Sequence, residues 1–149
     1  MSQATSPGEA AERLSRRRAR MLPVLALFVL IQQAAFFSAG DRMRTVDIVR
    51  TCGWLVLVAV IVAALVTGGF WFRSREIRDL MDDEVTRANR SSALTLGFPV
   101  AMATGIVLYG LEAFQPGSVT PREAIHLIVS FGLVAALLRF GYLERRALG

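Results

Sequence analysis

Four long apolar segments constrain this chain more than any other feature of its sequence. Each is about 20 residues long, and a helix of that length rises about 30 Å, the thickness of the hydrocarbon core of a bilayer. The run from Leu55 to Val66 contains no polar residue, whereas a helix on the surface of a soluble protein needs a polar face. The sequence therefore predicts four transmembrane helices, over residues of about 21–40, 46–72, 93–114 and 121–143.

Composition supports an all-α membrane fold rather than a soluble domain. Apolar residues make up 54% of the chain, and its mean hydropathy is +0.47. We therefore predict an integral membrane four-helix bundle over residues 21–146, preceded by an arginine-rich tail over residues 1–20. Residues 73–92 form the longest polar connection between the predicted spans.

The arginines predict how the bundle is oriented. All 17 basic residues are arginine, and the cytoplasmic segments beside membrane spans carry an excess of positive charge. The tail 1–20, the loop 73–92 and the segment after the fourth span together carry 12 arginines, whereas the other two connections together carry only Arg42, Arg44, Arg50 and Arg122. We therefore expect both termini and the loop 73–92 in the cytoplasm, with the protein in the inner (plasma) membrane of a bacterium. These positions also explain the net charge of +5 without direct binding to nucleic acid.

A second interpretation of the first apolar segment stays open. The basic residues Arg16–Arg20, the apolar run Leu22–Ile31 and the small residues 38–40 follow one another in the order of a cleaved signal peptide. The apolar run continues through Phe36 and Phe37, which favours a retained span. Cleavage would leave three spans in the same orientation.

Small residues predict where the spans pack against each other. Gly and Ala at every fourth position allow helix backbones to approach closely in lipid. This spacing occurs on the third and fourth spans, at Gly97, Ala101, Gly105, Gly132 and Ala136.

The polar residues argue against several activities. None of the 12 carboxylates lies in the middle of a predicted span, which argues against a proton-coupled exporter. The chain has one histidine and one cysteine, so a single copy provides neither the paired histidine ligands of a haem nor an internal disulfide. We therefore expect no cofactor, no metal site and no catalytic residues, and thus no enzyme.

Gln32 and Gln33 are the main polar candidates at depth, together with Thr67, Thr95 and Thr104. Adjacent residues on a helix point about 100° apart, so at most one glutamine faces a given neighbour. An interhelical hydrogen bond is one interpretation. A pocket for a quinone or a lipid is the other.

A polar cluster is predicted on the outer side, where the third and fourth spans join. It consists of Glu112, Arg122, Glu123 and His126. Thr120, Pro121 and Glu123 have the pattern of a capping box that starts the fourth helix. A histidine titrates at about pH 6.5 and is suited to sensing protons or a metal ion. A surface histidine beside a helix cap is the alternative.

An acidic segment on the inner side is the candidate partner-binding loop. It consists of Asp82, Asp83, Glu84, Thr86 and Arg87. Acidic residues are also favourable at the N-terminus of a helix, so a capping role for this segment is the alternative interpretation.

The same segment carries a resemblance. Asp83, Glu84, Thr86 and Arg87 form an Asp-Glu-x-Thr-Arg motif, followed by Gly97-Phe98 in the next span. In this the chain resembles short uncharacterised bacterial four-span membrane proteins with such a cytoplasmic loop. Some of these are encoded beside helix-turn-helix regulators, which implies a cytoplasmic regulatory partner. The resemblance brings no catalytic residues.

The sequence therefore predicts a small inner-membrane protein that acts through protein–protein contacts, as an accessory or regulatory subunit. The partners that we expect for it are the lipid bilayer, a cytoplasmic regulatory protein and further copies of itself. A small oligomeric transporter or channel is the alternative function, and a transmembrane enzyme is the third.

Overall fold

The computed structural model describes residues 7–37, 45–67 and 83–148, and these form four helices. They are α1 (Pro7–Phe37), α2 (Thr45–Thr67), α3 (Glu84–Phe114) and α4 (Pro121–Ala147). All four are long and apolar enough to cross a membrane. The predicted all-α fold, with four helices long and apolar enough for membrane spans, is therefore confirmed.

Two helices begin earlier than the predicted spans. Helix α1 starts at Pro7, so residues 7–20 of the predicted tail are helical and continue directly into the first span. Helix α3 starts at Glu84, inside the predicted loop 73–92. The predicted span ends at residues 40 and 72, and residues 73–82 of that loop, lie outside the described residues.

Side chains define the starts of α3 and α4. The carboxylate of Asp83 accepts a hydrogen bond from the backbone N–H of Thr86, at 2.7 Å, and thereby caps α3. At the start of α4, Thr120 and Glu123 form the predicted capping box, since each accepts a hydrogen bond from the backbone N–H of the other. Pro121 occupies the first turn, where a missing N–H has no consequence.

Helix α4 lies at the centre of the bundle and packs against both α1 and α3. About half of its most apolar stretch is buried, against less than a quarter for each of the other helices. Leu133, Leu137 and Phe140 on α4 belong to the apolar core, together with Leu22, Ala26 and Val29 on α1. Among the described helices, the bundle is therefore organised around α4.

Helices α1 and α4 run antiparallel with a regular register. The pairs in contact, from one end of the bundle to the other, are Phe36 with His126, Gln33 with Ser130, Leu22 with Gly141, and Arg18 with Glu144. Each helix contributes residues spaced three or four apart or in multiples of such steps, which keeps them on one helical face. We call the end of the bundle around Arg18 and Glu144 the Arg18 end and the opposite end the His126 end.

Helices α3 and α4 approach each other at small residues. A Cβ atom added to Gly97 would lie only 2.8 Å from the carbonyl oxygen of Gly132 and 3.0 Å from the Cβ of Ala136. A Cβ atom on Gly132 would lie 2.9 Å from that of Ala101. Gly105 differs, because a Cβ atom there would meet only the Ile128 side chain, at an ordinary 3.5 Å. The tightest contact is thus at the level of Gly97 and Gly132.

Helix α2 contributes less to the buried core. Trp54, Ile61 and Leu65 are buried, while Val56 and Val66 are more than half exposed. Apolar side chains in such positions are solvated by lipid in a membrane protein.

Candidate functional site

A buried ion pair holds three helices together at the Arg18 end. The guanidinium of Arg18 on α1 pairs with the carboxylate of Glu144 on α4, and the two side chains are only 12% and 5% exposed. Arg18 also donates a hydrogen bond to the Thr86 hydroxyl on α3, at 3.2 Å. Asn89 donates from its amide to the second oxygen of Glu144, at 3.3 Å. We call Arg18, Thr86, Asn89 and Glu144 the Arg18 cluster.

An aromatic ring also helps to hold the Arg18 guanidinium in place. Its Cζ atom lies 5.4 Å from the centre of the Phe140 ring, which is within the range of a cation–π contact. A buried ion pair is stable only when further hydrogen bonds occupy its remaining donors and acceptors. Thr86 and Asn89 supply one such bond each, so the cluster joins α1, α3 and α4.

The side chains of the candidate partner-binding loop differ in burial and in role. Thr86 is buried in the Arg18 cluster, and Asp83 caps α3. Glu84 and Arg87 are exposed. Asp82 lies outside the described residues. The Asp-Glu-x-Thr-Arg motif therefore has two side chains with structural roles and two that face outward.

Sequence reasoning missed Glu144 and the special position of Arg18. Arg18 is one of several arginines in a basic tail, and Glu144 is one acid among terminal charges. A signal is nevertheless present: Arg18 lies four residues before Leu22, and Glu144 four residues after Phe140, on the helical faces that are buried. A charged residue that continues the buried apolar face of a helix in this way indicates an oppositely charged partner in the interior.

One polar contact lies deeper, between α1 and α4. The Ser130 hydroxyl donates a hydrogen bond to the side-chain oxygen of Gln33, at 2.8 Å, and both residues are buried. The interhelical hydrogen bond predicted for one of the two glutamines is therefore confirmed for Gln33.

The three threonines of the spans have local partners. The hydroxyls of Thr67, Thr95 and Thr104 each donate to the carbonyl oxygen four residues earlier in the same helix. Such bonds satisfy a hydroxyl in an apolar environment without a second helix.

At the His126 end, the histidine is enclosed by aromatic rings. The His126 ring is stacked between Phe36 on α1 and Trp54 on α2, with centroid distances of 3.9 Å to each. His126 is only 5% exposed, so the interpretation of a surface histidine is wrong. The sequence pattern does not reveal the burial because the covering rings come from two other helices. We call Phe36, Trp54 and His126 the His126 stack.

The four residues of the predicted outer cluster do not converge on one point. Arg122 lies over the Phe36 ring, with Cζ 5.1 Å from its centre, and donates a hydrogen bond to the Thr51 hydroxyl. Glu112 instead accepts hydrogen bonds from the backbone N–H groups of Gly117 and Val119 in the connecting turn. The other two are also separate, since Glu123 belongs to the capping box of α4 and His126 to the His126 stack.

A small cavity adjoins the His126 stack, with a volume of about 10 Å³. It is lined by Gln32, Phe36, Arg50, Thr51, Trp54 and His126. A larger, open groove of about 300 Å³ runs beside α1 near the Arg18 end, lined almost entirely by apolar side chains such as Met21, Leu25 and Phe28. The polar lining makes the smaller cavity the more specific of the two.

Metal binding has no geometric support within the described ranges. There, no three His, Cys, Asp or Glu side chains come close enough to share a metal ion. Cys52 is exposed on α2.

Comparison with known proteins adds no family to this picture. No protein-family model matches the chain, and no curated protein or solved structure matches it.

Proposed function

We propose that this chain is an integral protein of a bacterial inner membrane that acts by binding another protein, as an accessory or regulatory subunit. The Arg18 end lies in the cytoplasm. The exposed arginines at this end support the orientation, because positive residues are enriched on the cytoplasmic side. They are Arg13, Arg16, Arg17, Arg20, Arg145 and Arg146.

The observation that carries the proposal is the position of Glu84 and Arg87 beside the Arg18 cluster. Both are exposed in the first turn of α3. The same turn is held by the Asp83 cap and by the hydrogen bond that the buried Thr86 hydroxyl accepts from Arg18. A charged surface on a rigid support binds a partner with less loss of conformational entropy than a mobile loop does. This makes the start of α3 the best-ordered candidate surface for a cytoplasmic protein.

The alternative of an oligomeric transporter would require polar side chains that line a path through the bundle. In the described helices, the Gln33 oxygen is bonded to Ser130, and the hydroxyls of Thr67, Thr95 and Thr104 are bonded within their own helices. Because these groups already have hydrogen-bond partners within the protein, a protein that binds a partner through its surface is favoured over a transporter.

Charge-neutralising variants test the proposed surface. Glu84→Gln with Arg87→Gln removes one acid and one base from the start of α3 and leaves the Asp83 cap intact. The matched control is Glu12→Gln with Arg16→Gln, because these residues form an exposed ion pair of the same composition on α1. A photo-crosslinking amino acid in place of Val85, which is exposed between the two charges, reports the contact in cells.

We expect a crosslinked species of defined mass from Val85, and its yield should fall several-fold in the Glu84/Arg87 variant but not in the control. Raised salt should also reduce the yield, since exposed charges are screened over about 8 Å at 0.15 M. A crosslink to a second copy of this chain would replace the regulatory partner with self-association. No crosslink in any background, or equal loss in the control, would contradict the proposal.

A further inference from the structure

The cavity beside the His126 stack combines groups that rarely meet inside an apolar bundle. Its lining residues include Gln32, Thr51 and Arg50, whose side chains carry an amide, a hydroxyl and a guanidinium, together with the aromatic Phe36 and Trp54. Three different helices therefore contribute to one small polar space, since α1, α2 and α4 each supply lining residues.

His126 gives an independent sign that this space takes a ligand. Its Nδ1 atom is buried and has no hydrogen-bond partner among the described residues. A buried polar atom without a partner is destabilising by about 1–3 kcal/mol, and such atoms in native proteins are normally paired with protein, water or a bound group. A small polar species in the adjoining cavity meets this requirement.

The charges around the cavity determine which species it is. Arg50 is half-buried and forms no ion pair with another described residue. Arg122 adds a second guanidinium next to the cavity, because it donates to Thr51 and covers Phe36. The nearby carboxylates of Glu112 and Glu123 are bonded to the α3–α4 turn and the α4 cap instead. The described surroundings therefore favour negative charge in the cavity.

Volume limits the size of the ligand. A cavity of about 10 Å³ has room for about one water-sized sphere. A quinone or a lipid is far too large for it.

We propose that this cavity binds one small monovalent anion, of halide size. The anion lies against the Arg50 guanidinium, with the Gln32 amide and the N–H of His126 in its Nδ1-protonated tautomer as further hydrogen-bond donors. The rings of Phe36 and Trp54 form apolar walls, and a low local dielectric strengthens charge-assisted hydrogen bonds. The site joins α2 to α1 and α4, so its occupation stabilises a helix that is otherwise packed loosely.

Chloride binding to the purified full-length protein in detergent tests the proposal. The melting temperature is measured as sodium chloride replaces sodium gluconate at constant ionic strength. A ligand that binds the folded state raises stability with the logarithm of its concentration above its Kd. The NMR line width of chloride, which broadens on binding to a protein, gives the Kd independently. We expect saturable binding with the same Kd from both measurements.

Two site variants and one control make the result specific. Arg50→Gln should weaken chloride binding by about tenfold or more, because it removes a charge-assisted hydrogen bond. Gln32→Met, which preserves the size of the side chain, should weaken it less and serves if Arg50→Gln does not fold. Arg13→Gln removes an exposed arginine at the Arg18 end and should bind as the wild type does.

The proposal is overturned if chloride and gluconate stabilise the protein equally, because the cavity then holds only water. It is also overturned if the folded variants at residues 50 and 32 bind chloride with the wild-type Kd. These outcomes are independent of whether a cytoplasmic partner binds at Glu84 and Arg87.

Discussion

Arg145 donates a hydrogen bond from its Nε atom to the backbone carbonyl of Ala19, at 3.3 Å. That carbonyl lies four residues before Pro23, which is inside α1 and has no N–H to give it. The side chain of α4 therefore supplies the donor that a regular helix would have supplied. At the same level, the Pro23 ring packs against Gly141, where an added Cβ atom would lie 3.2 Å from the proline Cδ.

A double-mutant cycle tests whether Arg145 replaces the backbone N–H that Pro23 lacks. Arg145→Gln should destabilise the protein by about 0.5–1.5 kcal/mol, the usual net value of one hydrogen bond. In the Pro23→Ala background, the new N–H of residue 23 bonds to Ala19, so the same change at Arg145 should have a smaller effect. The free energy of unfolding in detergent mixtures measures both. An equal effect in the two backgrounds would show that the Ala19 carbonyl does not depend on Arg145.

The Arg18–Glu144 pair should behave as a buried pair and not as a surface one. Glu144→Met or Arg18→Met alone should destabilise the bundle by about 3 kcal/mol, because each leaves its partner without a counter-charge. The double variant Arg18→Met with Glu144→Met should recover much of that loss. Glu12→Gln, in an exposed pair, should change stability by less than about 1 kcal/mol. Additive losses in the double variant would contradict the pairing.

Three glycines of α3 should respond differently to the same small change. Gly97→Ala should destabilise the bundle, because its new methyl group would meet the backbone of α4 at 2.8 Å. A Cβ atom added at Gly110 would have no neighbour within 4 Å. Gly110→Ala should therefore stabilise the helix by about 0.5–1 kcal/mol, through the higher helix propensity of alanine alone. Gly105→Ala should lie between them. Unfolding in detergent gives the order, and a destabilised Gly110→Ala variant would indicate a contact with another molecule.

The orientation can be measured with single cysteines in a Cys52→Ser background. A cysteine at Ser118, in the exposed turn between α3 and α4, should react with a membrane-impermeant maleimide in intact cells. A cysteine at Ala147, at the exposed end of α4, should react only after the cells are permeabilised. The reverse labelling pattern would place the Arg18 end outside the cytoplasm.

The fold is predictable because hydrophobic length and helix caps are local properties. Four apolar segments form four helices, and the Thr120–Glu123 capping box is present as its spacing predicts. The small-residue spacing predicts the close contact of Gly97 and Gly132 but not the weaker contact of Gly105, since that distinction depends on how α3 and α4 cross.

The polar sites are less predictable because they depend on partners distant in sequence. His126 has one aromatic neighbour on α1 and another on α2, and neither lies near it in the chain. Arg18 differs from Arg17 only in the helical face it occupies, yet Arg18 is enclosed in an ion pair while Arg17 is exposed. On a helical wheel, Arg18 falls on the face of the buried Leu22 and Val29, and Arg17 lies about 100° away from it.

The central position of α4 has a consequence for biosynthesis. Arg18 is made 126 residues before Glu144, and Gln33 97 residues before Ser130. At about 5–20 residues per second, roughly 6–25 s pass between the synthesis of Arg18 and that of its counter-ion. During that interval α1 is already in or at the membrane with a cation and an amide that have not met their partners. Helix α4 therefore completes the polar contacts of α1, and a nascent chain interrupted before α4 holds Arg18 without Glu144 and Gln33 without Ser130.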